Sequence, residues 1–564
     1  MNTYRNELTE FGNIVTWDTE FSGQEDGKLH IPHGKFEALG VLSGEDVYLY
    51  DNPDILPAVF ERLYRCKMWI LQNALYDLRQ MSRFVPDILD RMPLVWDTEV
   101  VEHYIRTDYS SYNLDNLARR HLGIVVKKEM YEKLRNATFE DAALMEYLVN
   151  DLVITNRVYK SQRGYFKTDK EQLELYFMID EPMISILSKM SLRGIRIDVE
   201  RMIAWSEEVE RKIEEYSKHI SFNPRSPQQV KDYLFLKYRI KIKDTTLDTL
   251  ETIREKFKDS EDLKALIEVK HLEKLRSTYG RTWIDKYVVN GEVHADVRVI
   301  GTETGRITYQ NPNMQQIPAR DFPIYREFVR AHDGMKLLVA DISQQEPRLT
   351  AYISGEKHLQ EYFVTGADIH LEVAKRIFKN PNLTKEKNKH ERSIGKAINL
   401  GISYGLSAKG LSANVGIDLL DAEKIIDDYF REFPGIMNYI TTQRSKASAF
   451  GFVQTKLGRK LYINPYNWTW KNTAINYPIQ GSGADVLKLW MQSIAEKCKE
   501  QSLDFPLLMC IHDELVLEIP EGTEMEYVRI LQEALDEVSV TLMPDAPYKF
   551  ETEYEIGDSW ACKK

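Results

Sequence analysis

Two apolar stretches of this chain each run into a carboxylate. In Met335–Leu349, MKLLVADISQQEPRL, the residues Leu337, Leu338, Val339 and Ala340 lead to Asp341. In Leu507–Ile519, LLMCIHDELVLEI, the residues Leu508, Met509, Cys510 and Ile511 lead to His512, Asp513 and Glu514. Short apolar runs of this kind read as buried strands, and a buried strand holds its terminal carboxylate rigidly. Two carboxylates set side by side repel each other unless cations lie between them. The chemistry open to them is that of a two-metal site, with ions roughly 3.5–4 Å apart clamping both oxygens of a phosphoryl displacement. The same stretches also read as two core strands with solvated acidic turns, and these residues alone leave both readings open.

A second set of acids comes earlier. FGNIVTWDTEF (11–21) is a short strand ending in Asp18 and Glu20, which share a face because they stand two apart. Alone, D-x-E reads more simply as a solvated pair. In KMWILQNALYD (67–77) a strand-like MWIL runs into Asn73 and Asp77, four apart on a helix start. The spacing predicts a helix over Phe139–Tyr159, with Tyr147 and Asp151 again four apart. SYNLDNLARRHLG (Ser111–Gly123) reads as an amphipathic helix with no evident chemistry. In HERSIGKAINLGISYG (390–405), Arg392, Lys396, Leu400 and Tyr404 are each four apart and form one stripe on one helix. Two cations followed by an aromatic suit a triphosphate at one end and a base or sugar at the other. The alternative is a surface helix with a snorkelling lysine.

Around these residues the chain needs several domains. At about 150 residues per domain, 564 residues suggest three or four. A 43% hydrophobic content is ample for sizeable cores. The four cysteines, Cys66, Cys498, Cys510 and Cys562, lack metal-ligand spacing and read as reduced thiols. No signal core opens the sequence and no apolar run reaches membrane-span length, so the expected location is the cytoplasm. The net charge of −12 argues mildly against a nucleic-acid partner, although a basic track can be local and metal-holding acids lower the total. A charged helical connection, Thr168–Glu181, leads to a segment punctuated by Gly194, after which IRID reads as a brief strand or turn. Glu200–Lys286 is helix-periodic, with a loop and helix start at Ser226–Pro227. Its interleaved charges suit either solvated faces or an arm gripping duplex phosphates. The glycines of 294–318 make a loop that places Arg306 to reach a groove or a phosphate. Gly366–Arg444 reads as helical, Gly458–Lys460 as a turn bearing Arg459, and Asn472–Gly481 carries Asn476 and Gln480 into a long helix over Gly483–Gln501.

Taken in order, D-x-E, N-x3-D and Y-x3-D resemble the DEDD-type proofreading 3′–5′ exonucleases of the tyrosine subclass. DISQQEPRL resembles motif A of the family A DNA polymerases, commonly DYSQIELR. R-x3-K-x3-L-x3-YG resembles motif B, CIHDELV motif C, and TGRIT…PNMQQIP the family's TGRLSS…PNLQNIP. The likeness runs from about Ile14 to Trp560 and is greatest to the large (Klenow) fragment of bacterial DNA polymerase I. It implies a multidomain chain of α+β and α/β character. A ribonuclease H-like DEDDy exonuclease domain would cover 1–165, a helical connection and thumb 166–300, and the palm with motif A 301–365. The fingers with motif B would cover 366–445, and the second part of the palm, with motif C, 446–564. By position, Asp341 and Asp513, helped by the Ile342 carbonyl, would ligate two Mg²⁺ ions, for which Mn²⁺ can substitute; Glu514 would be secondary. Asp18, Glu20, Asp77 and Asp151 would hold the metals of the exonuclease, with Tyr147 orienting water. Arg392, Lys396 and His370 would bind the dNTP triphosphate, with Lys396 assisting charge or proton transfer to pyrophosphate. Gln344, Leu400 and Tyr404 would complete that pocket, and Glu346 would be the gate against a ribose 2′-hydroxyl. Arg306, Arg459, Asn476, Gln480 and His512 would read the minor groove at the primer end. The implied partners are primer–template DNA and dNTPs, with a helicase or single-strand-binding protein as accessories to a monomer that does not engage membranes.

Departures from the pattern bear on function. Leu400 stands where Phe or Tyr is common, removing stacking worth about 1–3 kcal/mol; leucine there resembles certain viral members. Cys510 replaces Gln, Ile342 replaces Tyr, and Pro347 replaces Leu, either after the strand or in a helix's first turn. With 17 residues ahead of Asp18, no 5′-nuclease domain is expected. The short Phe222–Lys274 thumb stretch leaves no room for the processivity insertion of the thioredoxin-dependent phage enzyme. A compact polymerase with its own proofreader suggests a phage replicative enzyme. Two rivals stand beside this reading. A single-subunit RNA polymerase shares the palm and the Lys/Tyr helix, but Glu346 and the exonuclease set disfavour it. A DNA clamp without turnover has no reason to retain all six acids.

Overall fold

The computed structural model of the chain describes residues 2–22, 32, 34–125, 142–317 and 324–563. Phe139–Asp141 of the expected helix and Pro318 lie outside them.

The first unit is a six-stranded sheet in the order β1-β4-β3-β2-β5-β6, formed by β1 (Thr3–Arg5), β2 (Ile14–Ser22), β3 (Lys35–Ser43), β4 (Asp46–Tyr50), β5 (Met68–Leu71) and β6 (Leu94–Asp97). β2, β3 and β4 are antiparallel; β5 joins β2, and β6 joins β5, in parallel. Parallel strands buried on both faces are near-continuously apolar, as MWIL is. Trp17 and Trp69 meet edge to face at 5.4 Å beneath the sheet. Helix α1 (Ala74–Met81) starts at Asn73, whose φ of 58° an asparagine tolerates. The carboxylate of Asp97 accepts from the Asn73 and Ala74 amides at 3.1 and 2.8 Å. It also accepts from Glu99 at the head of the next helix, so one acid caps two helices. Helix α2 (Ala142–Tyr165) lies on β3 at Gly40, opposite Asp18 in the β2–β3 register. A Cβ on Gly40 would stand 2.7 Å from Leu152 Cδ1 and 3.0 Å from Leu148 Cγ. The missing side chain therefore seats α2 against the sheet.

Long helices follow. Val199–Ser217 and Glu261–Tyr279 pack together, and Pro227–Tyr238 and Leu247–Lys256 share with the latter a small separate core built on Val230, Leu234, Leu250 and Leu266. A four-stranded antiparallel sheet then carries both motif strands. Its order is β8-β9-β7-β10, with β7 (Met335–Ile342), β8 (Leu507–Ile511), β9 (Glu514–Pro520) and β10 (Thr552–Gly557). Helix α3 (Gln345–Ser354) follows β7 directly, and Pro347 falls in its first turn, where no intrahelical N–H bond is lost.

Between the motif strands, α4 (Ile369–Ile377) and α5 (Lys389–Gly401) touch backbone to backbone: a Cβ on Gly395 would lie 2.2 Å from the His370 carbonyl oxygen. The expected stripe is shorter than its spacing suggests. The α-helix ends at Gly401, and Tyr404 sits in a tighter turn, Ile402–Tyr404, closed by Gly405 at φ 74°. Leu406 folds over Gly401, which has no side chain to resist it. The long helix expected from Gly483 instead begins at Trp470: α6 (Trp470–Glu500) runs through Pro478. A proline normally breaks a helix. Here Gly481 packs on Thr455 and Leu461 without room for a Cβ, and burial of the whole segment outweighs the one lost bond. Helix α7 (Glu524–Leu542) packs on α6, and the Trp490 indole N–H donates to Leu531 O at 2.8 Å. Among the described residues, no helix is long and apolar enough to cross a membrane.

Candidate active sites

Asp341 lies on the central strand β7, opposite Glu514 of β9. β8 and β9 are joined by His512 and Asp513 alone, and His512 takes φ 59° to close the turn. A non-glycine residue there costs of order 1 kcal/mol or more, and the turn brings Asp513 to Asp341. Burial pushes the Asp513 carboxyl up, and Asp341 adds to the rise while Lys563 and His512 oppose it. Asp341 Oδ2 accepts from Lys563 Nζ at 2.6 Å; its Oδ1 is buried without a partner. Glu514 Oε2 stands 3.3 Å from the same ammonium, and its Oε1 accepts from the Trp560 indole N–H at 2.7 Å. The side chain of Ile342 is buried in the core, leaving only its backbone for a ligand. Among the described residues no three His, Cys, Asp or Glu side chains already stand gathered as an ion cage. Even so, the residues fit a divalent cation. An orphaned carboxylate oxygen on Asp341, the Asp513 carboxyl raised by burial and then by Asp341, and an ammonium drawn to Asp341 and Glu514 all call for positive charge. An all-oxygen donor set suits Mg²⁺. Lys563, which touches Asp341 and Glu514, and Trp560 and Arg326, which touch Glu514, are not signalled by anything in their spacing.

A cleft of about 390 Å³ opens beside the pair, lined by Arg306, Glu346, Tyr404, His512 and Asp513 among others. Glu346 is held at both oxygens: Arg306 Nη2 donates to Oε1 at 3.0 Å, and the Tyr404 hydroxyl to Oε2 at 2.7 Å. Gln480 hydrogen-bonds Tyr404 in turn. Gln344 takes φ 51° just before α3, and Asn476 is almost buried on α6. Where α4 meets α5, Arg392 Nε donates to Asp368 Oδ2 at 2.8 Å, and His370 Nδ1 is buried without a partner. Burial lowers the His370 pKa to about 4; Asp368 opposes this, and Arg392 and Lys396 reinforce it. Three basic groups thus gather at one helix junction.

Arg459 is a correction. It does not face a groove: it is 2% exposed. Its Nη1 lies 2.7 Å from Asp180 Oδ2, and its Nε and Nη2 lie 3.0 and 2.8 Å from Asp485 Oδ1. Lys488 Nζ reaches Asp180 Oδ1 at 2.5 Å and Gly305 O at 2.6 Å. A turn bearing a cation reads as surface; two distant buried acids drew this one inside.

In the first unit, the earlier acids converge. Burial raises the Asp18 carboxyl well above its usual range, with Asp77 adding to the rise. Burial likewise raises Glu20, to about 9, with contributions from Asp18, Asp151 and Asp77. Asp151 rises to about 7 through burial and then Asp18, while a hydrogen bond from Tyr147, one helical turn away, opposes it. Asp77 accepts from the Thr19 hydroxyl between the two β2 acids. Asp77 itself is raised by burial and Asp97, and buried carboxylates gathered in this way need cations or protons to coexist.

The family model described as DNA polymerase family A matches residues 199–562. DNA polymerase I of Lactococcus lactis subsp. lactis is 29% identical over 541 residues, covering 92% of this chain and 60% of that protein. DNA polymerase I of Streptococcus pneumoniae serotype 4 is 33% identical over 408 residues, covering 67% and 46%. The chain therefore spans between about half and 60% of the length of these relatives. Among solved structures, the "POL domain of Pol1 from M. smegmatis complex with DNA primer-template and dNTP" superposes with a TM-score of 0.81 at 23% identity, covering 97% of this chain and 95% of that one. At that identity the likeness is one of fold.

Proposed function

The chain belongs to DNA polymerase family A, and from that premise we propose that it extends a primer on a template strand with dNTPs and removes mispaired 3′ ends by hydrolysis. The observation that carries the first activity is the meeting of Asp341 and Asp513, from strands far apart in sequence. Mg²⁺, held there by the two aspartates and the Ile342 carbonyl, would supply positive charge to the attacking 3′-oxygen and to the leaving oxygen. Arg392, Lys396 and His370 bind the triphosphate, and Lys396 gives charge or a proton to the departing pyrophosphate. The His370 ring, kept neutral by its burial, donates to a phosphate oxygen only through the one ring nitrogen that carries its proton. Leu400 and Tyr404 border the base and sugar, and Gln344 flanks them. Glu346, locked by Arg306 and Tyr404, fills the space a ribose 2′-hydroxyl would need, which disfavours ribonucleotides. Arg306, Asn476, Gln480 and His512 face the primer terminus.

The second activity is supported by the convergence of Asp18, Glu20, Asp77 and Asp151, with Tyr147 hydrogen-bonded to the last. These residues would hold Mg²⁺ in a ribonuclease H-like exonuclease domain over 1–165. The connection and thumb would follow over 166–300, the palm over 301–365 and 446–564, and the fingers over 366–445. A phage replicative enzyme is the reading favoured by Leu400 and the compact thumb.

The test is one primer–template assayed with and without dNTPs. Asp341→Ala and Asp513→Ala should abolish extension and leave digestion of single strands; Asp18→Ala should do the reverse. Extension at the parent rate by Asp341→Ala would reject the polymerase site, and unchanged trimming of a mismatch by Asp18→Ala would reject the proofreading site.

A further inference from the structure

Lys563 carries a charge that the proposed chemistry does not use. Its ammonium sits 2.6 Å from Asp341 Oδ2 and 3.3 Å from Glu514 Oε2, and these two acids face each other across β7 and β9. The segment that delivers it is built in. Trp560 is fully buried and its amide donates to Val329 O at 3.0 Å. Ser559 bridges Arg330, and Cys562 packs where Gly557 leaves no room for a Cβ.

We propose that Lys563 is a resident counter-cation, which bridges Asp341 and Glu514 in the metal-free protein and competes with a divalent ion for the Asp341 carboxylate. The inference rests on the polymerase-site reading above. Like charges directly opposite on paired strands are destabilising, so the acids need a cation in the absence of metal. The contact is a charge-assisted hydrogen bond to an oxygen an ion would need. A lysine suits exchange: one compact charge on a flexible stem can swing away, where a forked guanidinium would hold on. Glu514 is not stranded when Lys563 leaves. Trp560 Nε1 keeps its Oε1, and Arg326 Nη1 lies 3.5 Å from the same oxygen while its guanidinium stacks 4.0 Å from the Trp560 ring. Glu514 is thus the anchor of the device and Asp341 its switchable end. Removing the ammonium removes a competitor of the metal, so Lys563 sets how much divalent ion the site requires.

The test is Mn²⁺ titration followed by electron paramagnetic resonance, without DNA, in protein also carrying Asp18→Ala and Glu20→Ala to remove binding in the first unit. Lys563→Met should bind Mn²⁺ about tenfold tighter, the worth of one charge-assisted hydrogen bond, and Lys563→Arg, whose fork holds on to Asp341, should bind it more weakly than the parent. The thermal midpoint of Lys563→Met should fall below the parent in EDTA and meet it in Mn²⁺. An affinity for Lys563→Met equal to or weaker than the parent overturns the proposal, provided Asp341→Ala loses the bound ion. If Asp341→Ala binds Mn²⁺ as the parent does, the polymerase-site reading itself falls, and this inference with it.

Discussion

Leu400 stands 36% exposed on α5, one turn beyond Lys396. An aromatic there would add stacking of about 1–3 kcal/mol, realised equally in ground and transition states. Leu400→Phe should therefore lower the KM for dNTP about tenfold and leave kcat nearly unchanged, as read by steady-state primer extension. His103 is a residue of a different kind. It stacks on Tyr112 at 3.6 Å, its Nδ1 is buried without a partner, and burial lowers its pKa to about 3. The unfolded chain takes up this proton near pH 6.5, while the folded chain refuses it until far lower. Its contribution is complete above pH 6.5 and drains away as the pH falls toward 3. Between pH 7.5 and 5 the loss from this one group is about 2 kcal/mol. His103→Phe should flatten the fall of the urea midpoint over that window; an unchanged slope would show that the ring titrates normally. At this scale spacing was informative for the acids, because Asp18, Asp341 and Asp513 each follow an apolar run. It was silent for Lys563, which belongs to no periodic pattern.

At the scale of elements, glycines decide distances. Gly40 seats α2 on β3 beside Asp18, so this helix carries Tyr147 and Asp151 to the β2 acids. Valine at position 40 would overlap Leu148 and Leu152, at an overpacking cost of about 1–3 kcal/mol, and would lift the helix. Gly40→Val should cut 3′-digestion more than tenfold and leave primer extension intact, both measured on one preparation. Gly395 plays the same part between α4 and α5, where it brings His370 to Lys396. The helix periods of both elements could be read from the chain. Their close approach could not, because a glycine in a helix reads first as a weak point. The same bias shortened α6: Pro478, Gly481 and Gly483 look like a break in isolation and are packing surface in the fold.

At the scale of the molecule, a buried network joins the parts. Arg459 and Lys488 both bond to Asp180, Arg459 also bonds to Asp485, and Tyr104 of the first unit donates to Asp180 beneath the Arg459 guanidinium, 4.6 Å from its ring. Taking one charge from such a set leaves its partners buried and unpaired, at a cost of about 3–5 kcal/mol. Arg459→Ala should lower the urea midpoint sharply while the folded protein binds primer–template with parent affinity. Lost DNA affinity at unchanged stability would return Arg459 to the groove. The sequence by itself determined which side chains share a face, since spacings of two and four are properties of a local strand or helix. It also determined where each strand would present its acid. Only the tertiary structure decided which of these charges meet: that Asp341 finds Asp513 at the hairpin turn beside its strand, that Arg459 turns inward to two acids, and that Lys563 reaches Asp341. The physical reason is that burial and Coulomb attraction act through space, between residues whose separation along the chain carries no trace of it.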